Sequence, residues 1–168
     1  MEILLKIDIG NSITLTPLTV SQIKIYEPRL DLVSVYILRS IGKFTDLCPL
    51  LTTPDGSCLF NSISVLLSGS ERLTVELRLR AFKYLAENFV ELNLLKHTED
   101  SAIICSPNVL ETMKSAVKTD GWGSHFTIKA LANVIGAQIA VLYPAVRPND
   151  LSKILTKIYN PKISITSN

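Results

Sequence analysis

The middle of the chain carries apolar residues at helical spacing, punctuated by glycine and serine. Apolar positions at i, i+4, i+7 and i+8 begin at Leu59 and predict a short buried helix that ends at Gly69. Residues 71–91 predict a longer amphipathic helix. Its expected apolar face comprises Val75, Leu79, Phe82, Leu85 or Ala86, and Phe89. Its expected solvated face comprises Glu76, Arg78, Arg80, Lys83 and Glu87.

Two more helices are predicted further along the chain. Ser106 as N-cap and Pro107 at N1 start the first, which runs to about Val117. Its expected core positions are Val109 or Leu110, Met113 and Val117. Ser124 or His125 caps the second helix, and Gly136 ends it. Its expected core positions are Ile128, Leu131, Ala132 and Ile135.

Strand patterns lie towards the two ends of the chain. Residues 138–143 predict a central strand, and residues 163–166 alternate like a final strand. Residues 151–159 fit either a hairpin arm or one helical turn followed by a strand. Residues 1–25 suggest a hairpin, and residues 30–41 fit either a strand or a buried helix. Helices gathered between strands predict an α+β, or layered α/β, fold.

Bulk composition excludes several classes of protein. The chain is 47% hydrophobic and 19% charged, which is typical of one globular domain. A net charge of +2 with scattered basic residues argues against nucleic-acid binding as a function. Apolar runs fall well short of the roughly 18 residues that a membrane span needs. The acidic second residue does not fit a secretory signal.

Cysteine and histidine usage bears on compartment and metals. Cys48, Cys58 and Cys105 form neither a disulfide framework nor a metal-binding pair. Two histidines without a His/Cys cluster predict no zinc site. An odd cysteine count without a signal sequence predicts a reducing intracellular compartment, cytoplasmic or nuclear.

Cys58 is the strongest candidate for a catalytic nucleophile in the chain. It follows a Pro-Asp-Gly turn signal and is expected in the first turn of a helix, where partial positive charge favours a thiolate. The backbone amides of residues 55–58 can there stabilise an oxyanion. Asn61 and Ser62 can hydrogen-bond into the same loop. The alternative is a structural cysteine at a helix start.

Residues 55–60, Asp-Gly-Ser-Cys-Leu-Phe, resemble the nucleophile motif of the ovarian-tumour (OTU) family of cysteine proteases. Residues 121–132, which begin Gly-Trp-Gly, resemble that family's segment leading into a helix and a core strand. The run from residue 62 to residue 72 is nearest to a vertnin and transposon-associated branch of OTU-like proteins. The resemblance implies a papain-type fold, a small central sheet flanked by helices, over residues 45–168. Residues 1–44 form an N-terminal extension outside it.

The same resemblance implies a set of site residues. Cys58 is the nucleophile, and Gly56 and Ser57 belong to the oxyanion loop. Asp55 orients the base or shapes that loop, although Asp-Gly is also ordinary turn chemistry. Trp122, Gly123 and His125 lie near the cleft. The implied partner is ubiquitin or a ubiquitin-like protein, with neither a metal nor an organic cofactor.

The family takes its catalytic histidine from just beyond the last core strand, and no histidine follows residue 163 in this chain. His97 is expected on the surface, and His125 is expected to line the cleft or support it, not to act as the base. Truncation, decay of the chemistry or relocation of the base explains the difference, and we favour the first two. The sequence thus predicts a thiol isopeptidase, with an inactive OTU-like binding or regulatory module of a vertnin-like or transposon-derived protein as the alternative.

Overall fold

A computed structural model of the chain describes residues 19, 21–22, 29–41, 48–95, 107–141 and 157–162. The elements that lie within these ranges are the helices α1 (Leu32–Ile41), α2 (Cys58–Ser68), α3 (Thr74–Glu87), α4 (Phe89–Leu95), α5 (Val109–Ala116) and α6 (His125–Ile135), a 3-10 helix (Glu71–Leu73), and the strands β1 (Ile139–Val141) and β2 (Lys157–Tyr159). Among the described residues, no helix combines the length and apolar content that crossing a membrane requires.

Helix α3 lies at the centre of the helical layer, because it packs against α2, α5 and α6. The core contains apolar side chains from all four helices and from α4: Phe60, Ile63, Leu67, Leu77, Ala81, Leu85, Leu92, Val109, Met113, Phe126, Ala130 and Leu131. Burial of these side chains removes apolar surface from water and supplies the main stabilising contribution to the fold.

The buried face of α3 differs from the prediction. Leu85 is fully buried and Phe82 packs partly buried against the core, as predicted. Leu77 and Ala81, which the prediction omitted, are also fully buried, and Val75 is 67% exposed. The continuous helix predicted over residues 71–91 is also wrong. A 3-10 helix precedes α3, and a break at Asn88 separates α3 from α4. The buried stripe is wide because α3 packs against three helices, and its direction is set by those neighbours.

The helix ends follow local signals, with one correction. Gly69 and Gly136 end α2 and α6 in the left-handed conformation, as predicted. Ser124 caps α6, and its hydroxyl accepts a hydrogen bond from the amide of Thr127. The N-cap of α5 is Asn108 and not Ser106. Its side chain accepts a hydrogen bond from Glu111 N at 2.8 Å.

The core positions predicted for α5 and α6 are correct in part. In α5, Val109 and Met113 are buried, whereas Leu110 and Val117 are 47% and 48% exposed. In α6, Leu131 and Ala132 are buried as predicted, and so are three residues outside the predicted stripe: Phe126, Thr127 and Ala130.

The sheet in the described residues has two antiparallel strands, with Ile139 opposite Tyr159 and Val141 opposite Lys157. β1 confirms a strand within the predicted run 138–143, and β2 lies within the run 151–159. Residues 30–41, where strand and helix were both open, are helical in α1. The helical middle and the small sheet confirm the predicted α+β class. The strand predicted over 163–166 and the hairpin predicted over 1–25 fall outside the described residues, apart from residues 19 and 21–22.

A single antiparallel bridge between Leu30 and Leu50 connects the start of α1 with the segment that leads into the cysteine loop. Asp31 N donates to Pro49 O at 3.1 Å, and Leu51 N donates to Arg29 O at 2.8 Å. This bridge crosses the boundary predicted at residue 44, so part of the N-terminal extension is bonded to the domain.

Candidate active site

Cys58 is the first residue of α2 and is half-buried. The turn before it is bonded internally by Asp55. The Asp55 carboxylate oxygen Oδ1 accepts a hydrogen bond from Ser57 N at 2.7 Å. The carbonyl of Asp55 accepts one from Cys58 N at 3.0 Å. Asp55 therefore shapes the loop, and two of the amides expected to stabilise an oxyanion already have acceptors within the turn.

Asn61 in α2 hydrogen-bonds to the same loop, the turn before Cys58. Its side chain is 3% exposed and donates to Asp55 Oδ1 at 3.2 Å and to Thr53 O at 3.3 Å. Its carbonyl oxygen accepts from Thr74 Oγ1 at 2.7 Å. Each polar atom of this buried amide therefore has a partner, which is what burial of a polar group requires. Asn61 thus hydrogen-bonds into the loop, as predicted, and connects the loop to the start of α3.

The two sequence motifs meet in the fold. Ser57 Oγ donates to the carbonyl of Thr119 at 2.8 Å, across a separation of 62 residues. A side chain added at Gly56 would place its Cβ 1.9 Å from the carbonyl oxygen of Asp120. A Cβ added at Gly123 would lie 2.3 Å from Leu59 Cδ2. Glycine at both positions therefore lets the Gly-Trp-Gly segment pack directly on the cysteine loop.

Arg78 also lies at this contact, and the prediction made for it was wrong. It was expected on the solvated face of its helix but is 6% exposed. Its Nη2 donates to the carbonyl oxygens of Gly56 and Gly121, each at 2.9 Å, and to Ser57 Oγ at 3.0 Å. Its guanidinium lies 4.3 Å from the centre of the Phe60 ring.

One signal in the sequence could have revealed the burial of Arg78. Arg80 and Lys83 each have a glutamate four residues away on the same helix, and both form ion pairs with it. Arg78 has no acidic residue three or four positions away in either direction. An arginine without such a partner on a charged helix is a candidate for contacts outside its own helix.

The charges around Arg78 oppose the cost of its burial. Burial lowers the pKa of Arg78, whereas the nearby Asp55, Asp120 and Cys58 raise it. Arginine keeps its proton in proteins, so a fixed positive charge lies beneath the cysteine loop. Its Nε is buried and has no hydrogen-bond partner among the described residues.

His125 and Trp122 differ in their surroundings. His125 is the first residue of α6, and its Nδ1 lies 2.7 Å from the hydroxyl of Tyr159 on β2. Trp122 is 72% exposed, and its carbonyl oxygen accepts a hydrogen bond from Ser115 Oγ. Of the three predicted cleft residues, Gly123 therefore lies against Leu59 at the start of α2, His125 joins α6 to the sheet, and Trp122 is largely exposed.

The predictions for His97 and Cys105 stay open, because both residues lie outside the described residues. Within the described ranges, no group of three or more His, Cys, Asp or Glu side chains is placed to hold a metal ion.

Comparison with protein-family models finds a match to the OTU-like cysteine protease model over residues 53–167. The matched region begins just before the cysteine loop and includes α2 to α6 and both strands. A comparison with curated protein sequences finds no significant match. The family match confirms the resemblance drawn from the two motifs, while assignment to a vertnin-like branch stays a prediction.

Proposed function

Because the chain belongs to the family of OTU-like cysteine proteases, we propose that it is a thiol isopeptidase acting on ubiquitin or ubiquitin-like conjugates. The observation that carries the proposal is the placement of Cys58. It starts a helix, and its loop packs against the second family motif. Free thiols at Cys48 and Cys58, together with the cysteine count, support an intracellular site of action.

In the proposed reaction the Cys58 thiolate attacks the carbonyl carbon of the isopeptide bond. The N-terminus of α2 carries partial positive charge, and the guanidinium of Arg78 donates to Ser57 Oγ, directly before Cys58. The carbon–nitrogen bond breaks, and the lysine amine leaves with the proton that the thiol gave up. Water then attacks the thioester, which releases the substrate's carboxyl group and restores the Cys58 thiol. We propose that Trp122 and Gly123 line the approach to the thiol, and the contact of Gly123 with Leu59 supports this for Gly123. We assign no residue as the base.

The oxyanion that forms in this reaction needs donors from the cysteine loop. Ser57 N and Cys58 N donate to Asp55 in the described conformation. The Gly56 amide has no acceptor among the described residues and is the donor that is ready to act. We therefore propose that the turn opens around Asp55 when substrate binds, which frees the Cys58 amide for the oxyanion.

The internally bonded turn also favours a second function. A loop in which Asp55 accepts from the amides of Ser57 and Cys58 fits a binding or regulatory module that keeps the fold without turnover. The two functions differ in one observable property, which is whether the Cys58 thiol reacts with an acyl electrophile presented by ubiquitin.

The test is labelling of the chain with ubiquitin that carries an electrophile at its C-terminus. We expect a covalent adduct on the wild-type chain and none on Cys58→Ala. Cys48→Ala is the matched control, because Cys48 is an exposed free thiol away from a helix start. It should label as wild type does.

Two outcomes would contradict the isopeptidase. An adduct that persists in Cys58→Ala would show that another group reacts. No adduct on a wild-type chain whose circular dichroism shows it to be folded would favour the binding module. Peptide mapping by mass spectrometry identifies the modified residue in each case.

A further inference from the structure

Arg78 connects three segments that are far apart in the chain. Its Nη2 contacts the cysteine loop at Gly56 and Ser57 and the Gly-Trp-Gly segment at Gly121. Its Nη1 lies 3.3 Å from the carbonyl oxygen of Ala116, at the end of α5. A buried guanidinium that reaches carbonyl oxygens of three segments fixes their relative positions, because its donors have a rigid planar geometry.

The positions that Arg78 fixes are those on which the proposed chemistry depends. Gly56 and Ser57 directly precede Cys58, and they move with the loop that presents the thiol. Gly121 is followed by Trp122 and by Gly123, and Gly123 lies against Leu59, the residue after Cys58. Ser57 Oγ accepts a hydrogen bond from Arg78 Nη2 and donates one to the carbonyl oxygen of Thr119. The hydroxyl and the guanidinium therefore both connect the cysteine loop to the turn before Gly121.

The charged groups around Arg78 come from both sides of this contact. Asp55 lies in the cysteine loop and Asp120 in the turn before Gly121, and both interact electrostatically with Arg78. Glu76 on the same helix is paired with Arg80. Within the described residues, Arg78 forms no direct ion pair with either aspartate, and its hydrogen bonds go to backbone carbonyl oxygens and to Ser57 Oγ.

We propose that Arg78 is a positioning residue for the thiol reaction: it holds the cysteine loop against the Gly-Trp-Gly segment and places a fixed positive charge against Gly56 and Ser57, which directly precede Cys58. This inference rests on the proposed function of Cys58 as nucleophile. Arg78 itself contacts neither the reacting carbonyl nor the sulfur, so it acts through the backbone of the two segments.

The test compares Arg78→Met, Arg78→Lys and the control Arg80→Met. The labelling rate of each chain is measured over a range of concentrations of the ubiquitin electrophile. This gives two quantities, the rate at saturation and the concentration at which the rate is half of that value. We expect Arg78→Met to lower the saturated rate by about tenfold or more, because misplaced reacting groups lose rate. The half-saturating concentration should stay within about threefold of wild type.

Arg78→Lys distinguishes charge from geometry. An ammonium keeps the charge but cannot satisfy carbonyls on three segments at once, so we expect partial recovery of the saturated rate. Arg80→Met should match wild type, because Arg80 pairs with Glu76 on its own helix. Each labelling rate is divided by the fraction of the chain that is folded. If Arg78 had a purely structural role, its substitution would lower the folded fraction but would leave the labelling rate of the folded molecules unchanged.

A saturated rate of folded Arg78→Met within about twofold of wild type would overturn the inference. If Arg78→Met does not fold, Arg78→Lys decides, and a wild-type rate in that variant would overturn the inference equally.

A second readout separates this inference from the proposed function. The rate at which iodoacetamide alkylates Cys58, followed by peptide mapping, requires no ubiquitin. If wild type resists the ubiquitin electrophile but alkylation slows about fivefold or more in Arg78→Met, the proposed function fails and the role of Arg78 stands. Equal alkylation rates in wild type and Arg78→Met, together with no ubiquitin labelling, would overturn both.

Discussion

Single residues decide whether the two halves of the candidate site can touch. Gly56 and Gly123 lie where any side chain would meet the opposite segment. Asn61 is buried with its amide bonded on both sides. Arg78 provides the charge and the donors that hold the carbonyl oxygens of both segments. The candidate site therefore depends on small and polar residues, and the role of each is set by the segment that it contacts.

Gly56→Ala should separate the cysteine loop from the Gly-Trp-Gly segment. Its Cβ would lie 1.9 Å from a backbone oxygen of Asp120, which cannot rotate away as a side chain would. We expect a loss of about 1–3 kcal/mol in the free energy of unfolding. Labelling by the ubiquitin electrophile should fall by about tenfold or more.

Gly136→Ala is the matched control for that substitution. Gly136 has φ of 63° and nothing within 4 Å of an added Cβ. The left-handed conformation costs a non-glycine residue about 1–2 kcal/mol, so stability should fall by a similar amount. Labelling should not change. If both variants lose labelling equally, the contact at Gly56 is not what supports the site.

At the scale of helices and strands, local sequence signals set most ends correctly. Gly69 and Gly136 terminate helices, and Ser124 starts one with a reciprocal pair of hydrogen bonds to Thr127. Asn108 replaces Ser106 as the cap of α5 because its side chain reaches the Glu111 amide. Both residues are good caps by type, so the sequence alone could not choose between them.

The start of α1 should depend on pH through Asp31. A hydrogen bond from Ser34 Oγ, followed by those from the amides of Ser34 and Val33, lowers the pKa of Asp31 below its ordinary value of 3.8. A depressed pKa in the folded state means that the carboxylate stabilises the helix start above pH 3.8. That contribution is lost as the pH falls through the folded value.

Amide hydrogen exchange along α1 measures this effect. Protection in the first turn should decrease as the pH falls below 3.8, beyond the change in intrinsic exchange rates. Asp31→Asn is the matched control, because asparagine caps helices without titrating. The prediction fails if protection in Asp31→Asn shows the same dependence on pH as in wild type.

At the scale of the whole molecule, α3 organises the helical layer around the site. It packs against α2, which carries Cys58, and against α5 and α6, which flank the Gly-Trp-Gly segment. Its buried apolar residues fill the core, and its buried Arg78 points to the contact between the two motifs. One helix therefore stabilises the fold and supports the candidate site with two different parts of its surface.

Leu77→Ala should destabilise the fold far more than Val75→Ala. Leu77 is fully buried in the core, and its truncation leaves a cavity, which typically costs about 2–5 kcal/mol. Val75 is 67% exposed, so its truncation should change stability by about 0.5 kcal/mol or less. Denaturant unfolding of the two variants measures both values. Similar losses for the two would mean that the buried face of α3 runs through Val75, as the periodicity alone suggested.

The sequence by itself determined the features that a few neighbouring residues can encode. The spacing of apolar residues predicted α2, glycine marked the ends of two helices, and the Cys58 motif identified the family. These signals act within one or two turns of chain, so no distant partner is needed to interpret them.

Only the tertiary structure decided which way α3 faces, where Arg78 lies and how Asp55 uses its carboxylate. Helical periodicity defines a stripe but not its neighbours, and α3 has three helices around it. The bonds from Arg78 to Gly56 and Gly121 cross separations of 22 and 43 residues. Contacts of that range depend on how the helices pack, since the same side chain would be solvated on an isolated helix.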